Sequence, residues 1–259
     1  MLRKKIRTRS VQFIQYVLFR FLCFILNLLP FLWALKLGQL CGRALYHLLG
    51  RYRRVALDNL NFVFGKEKTE SEIKKIAIQS FENLGYFAIE FIRIPKIVRN
   101  LKKYIILKNE KSVLDDALKL RKGAILIVSH FGNWEWMGVA AGMRVRRENI
   151  KINAVARVFG NPYLYHYAIK NLRGATGLET IDKKGAAREI IKHLDQNEIV
   201  CILIDQHERY GSVPVPYFGR DAWTTSLPAV MAVKKVLLHG EKAQKKRQLK
   251  TKRKFKLAS

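Results

Sequence analysis

Three short apolar runs, AILIVS (124–129), INAVA (152–156) and IVCILI (199–204), constrain this chain most. Each has the length and continuity of a strand buried on both faces. Helical patterns lie among them, in LDDALKL, NWEWMGVAAGM, PYLYHYAIKNL and GAAREIIKHL. That alternation predicts an α/β fold, a largely parallel sheet flanked by helices. Upstream, Thr69 and Glu72 form a capping box in TESE. From there Ile73, Ile76, Ala77, Phe81, Leu84, Ala88 and Phe91 repeat at helical spacing, so a helix is expected to run to about Pro95.

The N-terminus adds a second constraint. Residues 21–35, FLCFILNLLPFLWAL, are uncharged between Arg20 and Lys36. As a helix they reach about 22 Å, short of a hydrocarbon core of about 30 Å. Extending back to Val11 supplies the length but brings Arg20 inside, at a cost of roughly 2.5–3.5 kcal/mol before snorkelling. No small-x-small cleavage site follows, which argues against a secretory signal. The next stretch sets Leu37, Leu40, Cys41, Ala44, Leu45 and Leu48 on one helical face, as in a helix lying at an interface. Together the segments predict an N-terminal hydrophobic membrane helix, with attachment by one tilted span or by a hairpin bending at Pro30. Positive charge flanks both ends, so the arginines do not give an orientation.

A net charge of +29 calls for an anionic partner. After Val233 the tail carries eleven Lys and Arg against Glu241 alone, and is expected to be a solvated, disordered end. No zinc-finger spacing or RNP-like aromatic motif accompanies the charge, so no specific nucleic acid is expected. Cys23, Cys41 and Cys201 sit in apolar contexts without ligand spacing, which argues against a disulfide framework or a metal site.

The ends of the three runs carry the chemistry. AILIVS leads to His130, INAVA to Arg157, and IVCILI to Asp205, Gln206 and His207. In open α/β sheets ligands bind beyond the carboxyl ends of the strands. After His130, Gly132 permits a tight turn and Asn133 can cap the helix opened by Trp134 and Glu135. That turn could fold Glu135 back toward the imidazole, fixing the tautomer whose other nitrogen accepts a proton. The pair would form a triad lacking its serine, the missing hydroxyl belonging to the substrate. Taken singly, His130 fits a satisfied partly buried histidine, Glu135 a first-turn acid, Arg157 a surface cation and Asp205 a structural carboxylate. Trp134 and Trp136 read as packing residues.

HFGNWE resembles the H-x-x-x-x-[DE] motif of the glycerolipid acyltransferase superfamily. ARVFGNPYL, IDKKGAAREIIKHL, ILIDQHERYGSVPVPYFGRDAWTTS and RYRRVALDNLNFVFGKEKTESEIKKIAIQSFENLGYFAIEF resemble the late acyltransferases of lipid A biosynthesis, the lauroyl and myristoyl transferases. The likeness covers about residues 11–233. It implies a bacterial inner-membrane enzyme, catalytic domain on the cytoplasmic side, that moves a fatty acyl chain from acyl carrier protein to a hydroxyl of a glycolipid precursor. Its partners would be membrane lipid, acyl carrier protein and the glycolipid acceptor. No cofactor or metal is implied.

By that resemblance His130 matches the family base and Glu135 its partner. Arg157, Asn161, Asp205, Gln206 and His207 match substrate-binding positions, with Arg157 suited to a phosphate. The implied organisation is residues 1–50 as basic segment and membrane-anchoring helices, 51–233 as the acyltransferase domain, and 234–259 as tail. Leu227 stands where the family commonly has glycine. The family pattern stops near Lys234, so a truncated or frame-shifted end is expected. The motifs serve base and donor, and so leave the acceptor open between a lipid A precursor and a phosphatidylinositol mannoside or other glycolipid. An inactive membrane homologue is the remaining alternative.

Overall fold

The computed structural model describes residues 2–106, 116, 118–146, 149–157 and 160–235. Two compact units divide the chain, the first made of residues 1–108, 130–152 and 157–180, the second of 109–129, 153–156 and 181–259. The N-terminal 50 residues therefore fold with the segment that follows them.

In the first unit α1 (Leu2–Leu28) ends before Pro30, and α2 (Phe31–Leu48), α3 (Gly50–Phe64) and α4 (Glu70–Ile92) follow. The capping box forms as expected: Thr69 Oγ1 accepts from Glu72 N at 3.3 Å, and the Glu72 carboxylate accepts from Thr69 N at 2.8 Å. Short α5 (Ile94–Val98) and α6 (Leu101–Tyr104) complete this run. The helix expected at LDDALKL lies mostly outside the described residues.

α2 and α4 meet through small residues. α2 buries Ala34, Gly38, Gly42 and Tyr46, every fourth residue. A methyl group on Gly85 would sit 1.9 Å from the Gly38 carbonyl oxygen, and one on Gly42 2.2 Å from that of Phe81. The two backbones touch, and only glycine allows it. The face expected to be apolar is the one left open, with Leu40 51 % and Leu48 77 % exposed. Periodicity of large side chains found the outer face, and the packing face was written in small residues.

The second unit carries a four-stranded sheet in the order β1-β4-β2-β3, comprising β1 (Ala124–Val128), β2 (Ile152–Ala156), β3 (Leu178–Asp182) and β4 (Ile199–Leu203). The unit boundary runs through β2 and β3. β1 and β4 are parallel, with Val128 opposite Leu203. The three expected strands form. β3 was not anticipated, because LETID buries only Leu178 and Ile181 at a sheet edge and never makes an apolar run.

Helices α7 (Trp134–Arg146) and α8 (Pro162–Tyr167) belong to the first unit; α8 continues as a π turn, Ala168–Leu172, and a 3-10 turn, Arg173–Thr176. In the second unit, Ile190 and Leu194 of α9 (Ala186–Asp195) and Met231 of α10 (227–235) pack on Val200 and Ile202. α10 runs past Val233 to Lys235, whose ammonium pairs with Asp195, so the basic stretch starts inside the fold. The rest of the expected tail, 236–259, is outside the described residues.

The amino ends of β2 and β4 are closed by a polar cluster. Glu198 accepts from Asn153 Nδ2 at 3.0 Å and lies 2.6 Å from His193 Nδ1. A hairpin, β5 (Ser212–Tyr217) and β6 (Arg220–Thr225), turns through Phe218 and Gly219, whose φ values of 50° and 80° mark a type I′ turn.

Because the Gly38 carbonyl cannot move without shifting α2, Gly85→Ala is expected to lower stability by about 1–3 kcal/mol. Gly160→Ala, with open space around it, should stay within about 0.5 kcal/mol. Denaturant unfolding of both variants in detergent checks this.

Candidate active site

His130 lies two residues beyond β1, where the chain turns into α7. Gly132 adopts φ +61°, a conformation that other residues rarely take. Asn133 Oδ1 accepts from Trp136 N at 3.0 Å, capping α7 as the sequence predicted. The turn is then tied to α4: Asn133 Nδ2 donates to Glu90 Oε2 at 2.5 Å, and Trp136 Nε1 donates to the Glu90 carbonyl at 3.1 Å. Trp134 stacks on Phe87 with ring centroids 4.2 Å apart. The His130 ring stands edge-on to Trp134 at 4.7 Å. One helix, α4, thereby holds the loop that presents the imidazole.

Around this loop lies a cavity of about 840 Å³. Leu32 and Leu35 of α2, Leu84 and Phe87 of α4, and Phe131 line it beside His130. Its polar groups include Glu90 and Lys36. Burial pushes the Glu90 carboxyl above its ordinary range, and the bond from Asn133 opposes that rise.

Glu135 points into protein, 5 % exposed. Both of its oxygens face Arg173: Nε lies 2.9 Å from Oε2 and 3.2 Å from Oε1, and Nη2 also reaches Oε1. The pair is nearly sealed, the side chains being 14 % and 6 % exposed. Such a bidentate contact fixes the orientation of the carboxylate. It also partly neutralises the charge that Glu135 can offer to an imidazolium.

Residues 3–237 match the model of the bacterial lipid A biosynthesis acyltransferases. The chain belongs to that family. Two curated relatives, both phosphatidylinositol mannoside acyltransferases of Mycobacterium tuberculosis, from strains CDC 1551 and H37Rv, are 28 % and 29 % identical to it over 163 residues. That stretch covers 60 % of this chain and 49 % of each relative, so the chain spans about half the length of the curated relatives it matches.

In this acyltransferase-family chain the remaining expected site residues fall as follows. Arg157 is exposed just after β2, in the first unit. Asn161 is the N-cap of α8; its Oδ1 accepts from Tyr163 N and Leu164 N, and its Nδ2 donates to the Gln12 carbonyl at 2.9 Å and to Gln15 Oε1 at 3.1 Å. Its amide therefore joins α8 to α1. Asp205, Gln206 and His207 follow β4 in the second unit and are exposed. Among the described residues no cluster of three His, Cys, Asp or Glu is placed to hold a metal ion.

Two participants escaped sequence reasoning. Arg173 lies 38 residues from Glu135 in an irregular stretch, and its only local signal is a cation between buried Leu172 and buried Thr176. Glu90 looked like an ordinary polar position on an amphipathic helix. Neither spacing has a period.

Removing the guanidinium would strand a buried carboxylate. Arg173→Ala is expected to cost about 3–5 kcal/mol, against a smaller loss for Arg173→Lys, in denaturant titration. For Glu90 the folded value lies above the unfolded one, so its contribution is fully present below the unfolded value and is lost as pH rises through the folded value. The stability of the wild type relative to Glu90→Gln should therefore be level in acid and fall as pH rises beyond the ordinary carboxylate range. Parallel unfolding curves across pH measure it.

Proposed function

We propose that this chain transfers a fatty acyl group from the thioester of acyl carrier protein to a hydroxyl of a lipid A-type glycolipid precursor. The reading places it at the bacterial inner membrane with its catalytic domain on the cytoplasmic side. The observation that carries it is the position of His130, on a capped strand-to-helix turn in an apolar cavity, in a chain of this family.

In the proposed reaction an imidazole nitrogen of His130 takes the proton of the acceptor hydroxyl as its oxygen attacks the thioester carbonyl. General base catalysis of this kind contributes about 10²–10⁴ in rate. The tetrahedral intermediate collapses by breaking the C–S bond, and the imidazolium returns the proton to the departing thiolate. The products are an ester and a free thiol, and His130 ends neutral. Glu135 supplies negative charge that favours the imidazolium, and Arg173 holds that carboxylate in place. Arg157 is suited to a phosphate on the acceptor or on the donor's pantetheine arm. Asp205, Gln206 and His207 would contact substrate, and this residue set calls for neither metal nor cofactor.

A second reading keeps the chemistry and changes the acceptor to a phosphatidylinositol mannoside. The mycobacterial relatives favour it.

Membranes containing the chain, given acyl carrier protein loaded with radiolabelled acyl chain and either acceptor, should label the lipid A precursor. His130→Ala should lower that rate by about 10²–10⁴ with the protein still folded. Labelling of the mannoside alone would move the conclusion to the second reading. Transfer that survives His130→Ala would sink the mechanism.

A further inference from the structure

α1 contains a stretch, Thr8–Leu28, that by length and composition could cross a membrane: 21 residues with mean hydropathy 1.7, or about 31 Å of helix. Its two faces differ. Gln12, Tyr16, Phe19, Cys23 and Leu26 recur at alternating steps of four and three and, with Asn27 beside them, turn toward the rest of the first unit. Ile14, Leu18, Phe21, Ile25 and Leu28 face outward, each 40–67 % exposed.

The inward stripe is docked from end to end. Near its start, Gln12 Nε2 donates to the Gly160 carbonyl at 3.3 Å, and Asn161 returns a bond to the Gln12 carbonyl. Midway, the Arg20 guanidinium sits over the Tyr167 ring at 4.6 Å and bonds the Tyr16 hydroxyl at 2.8 Å. At the carboxyl end, buried Arg93 donates to the Leu26 carbonyl at 2.6 Å and the Leu29 carbonyl at 2.9 Å, while Lys96 reaches that of Asn27. These bonds satisfy carbonyls that a helix end leaves open. A helix crossing the bilayer in this position would draw α8 and the Arg93–Lys96 segment, with their polar backbone and cations, into hydrocarbon. Between these polar contacts Cys23 and Leu26 pack with Ala34, Ile89 and Ile92, and Tyr16 and Phe19 meet Tyr167, so the helix is held to the first unit along this face and can only lie beside a bilayer.

Beyond Pro30 the outward face continues in α2, where Leu32 is 76 %, Trp33 73 %, Leu40 51 % and Leu48 77 % exposed. Arg3, Lys4, Lys5, Arg7 and Arg9 precede the apolar face, Lys36 interrupts it, and Arg51, Arg53 and Arg54 follow it in α3. An apolar face bordered by cations fits a leaflet of anionic lipid.

We infer that α1 does not span the membrane: it lies in the plane of an anionic leaflet, its outward face and that of α2 forming one monotopic binding surface. The inference does not depend on the proposed reaction. Leu32 and Leu35 border the His130 cavity from α2, so the surface adjoins the cavity through that helix.

The test places a nitroxide at Ile14, Leu18, Phe21 or Ile25, one at a time, in the full chain carrying Cys41→Ser and reconstituted into phosphatidylglycerol-containing vesicles. Cys23 and Cys201 are buried. Relaxation by oxygen against a water-soluble nickel chelate reports depth. The four labels are expected at one common, shallow depth. An α1 that crosses would spread Ile14 and Ile25 over up to about 16 Å, and that gradient overturns the inference. Full exposure of all four labels to the chelate overturns it too. In parallel, a membrane-impermeant maleimide should reach Ser10→Cys and Lys66→Cys from the same side; labelling from opposite sides overturns the in-plane placement.

Discussion

The backbone contact between α2 and α4 is the constraint on which the first unit depends. Gly38 and Gly42 on one helix and Gly85 on the other let the two backbones meet, with the Ile89 side chain packed over Gly38, so the helices lock at a single register. Close packing of this kind is intolerant, because a carbonyl oxygen cannot yield as a side chain can. The register decides which residues of α4 come next to the His130 loop. One turn beyond Gly85, Phe87 and Glu90 do so. The imidazole is thus located by a glycine contact one to two turns away, through Trp134 and Asn133.

Two carboxylates near His130 are held differently. Glu135 is matched by a guanidinium in a nearly sealed pair that fixes its orientation. Glu90 has an amide for a partner and burial working against its charge, which raises its titration point.

Apolar surface has two uses in the first unit. Inside, leucines and a phenylalanine of α2 and α4 line the cavity beside His130; outside, large side chains of α1 and α2 remain exposed beyond what a water-soluble body normally shows. α2 serves both, with Leu35 lining the cavity and Leu40 facing outward. A helix that divides its faces this way needs a narrow packing edge, and the small-residue stripe supplies it.

Local physics made part of this legible in advance. Continuous apolar runs announced β1, β2 and β4; β4 is buried along most of its length, whereas β1 is an edge strand with Ile127 58 % exposed, so an apolar run did not always mean cover on both faces. The capping box at Thr69 and the Gly132–Asn133 turn were readable because caps and tight turns are set by neighbours within a few residues. β3 was hidden, since an edge strand buries only part of its length. Hydrophobic periodicity found the outward face of α2, while its packing face, written in Ala34, Gly38 and Gly42, carried no such signal. By itself the sequence determined the sheet strands, the long helices, the charge and the turn bearing His130, all products of short-range bonding and local hydrophobic pattern. Only the tertiary structure decided that Arg173 holds Glu135, that Glu90 holds Asn133 and that α1 is docked along its inward face, because those bonds join residues 38, 43 and 64 to 149 positions apart, and no local period encodes such pairings.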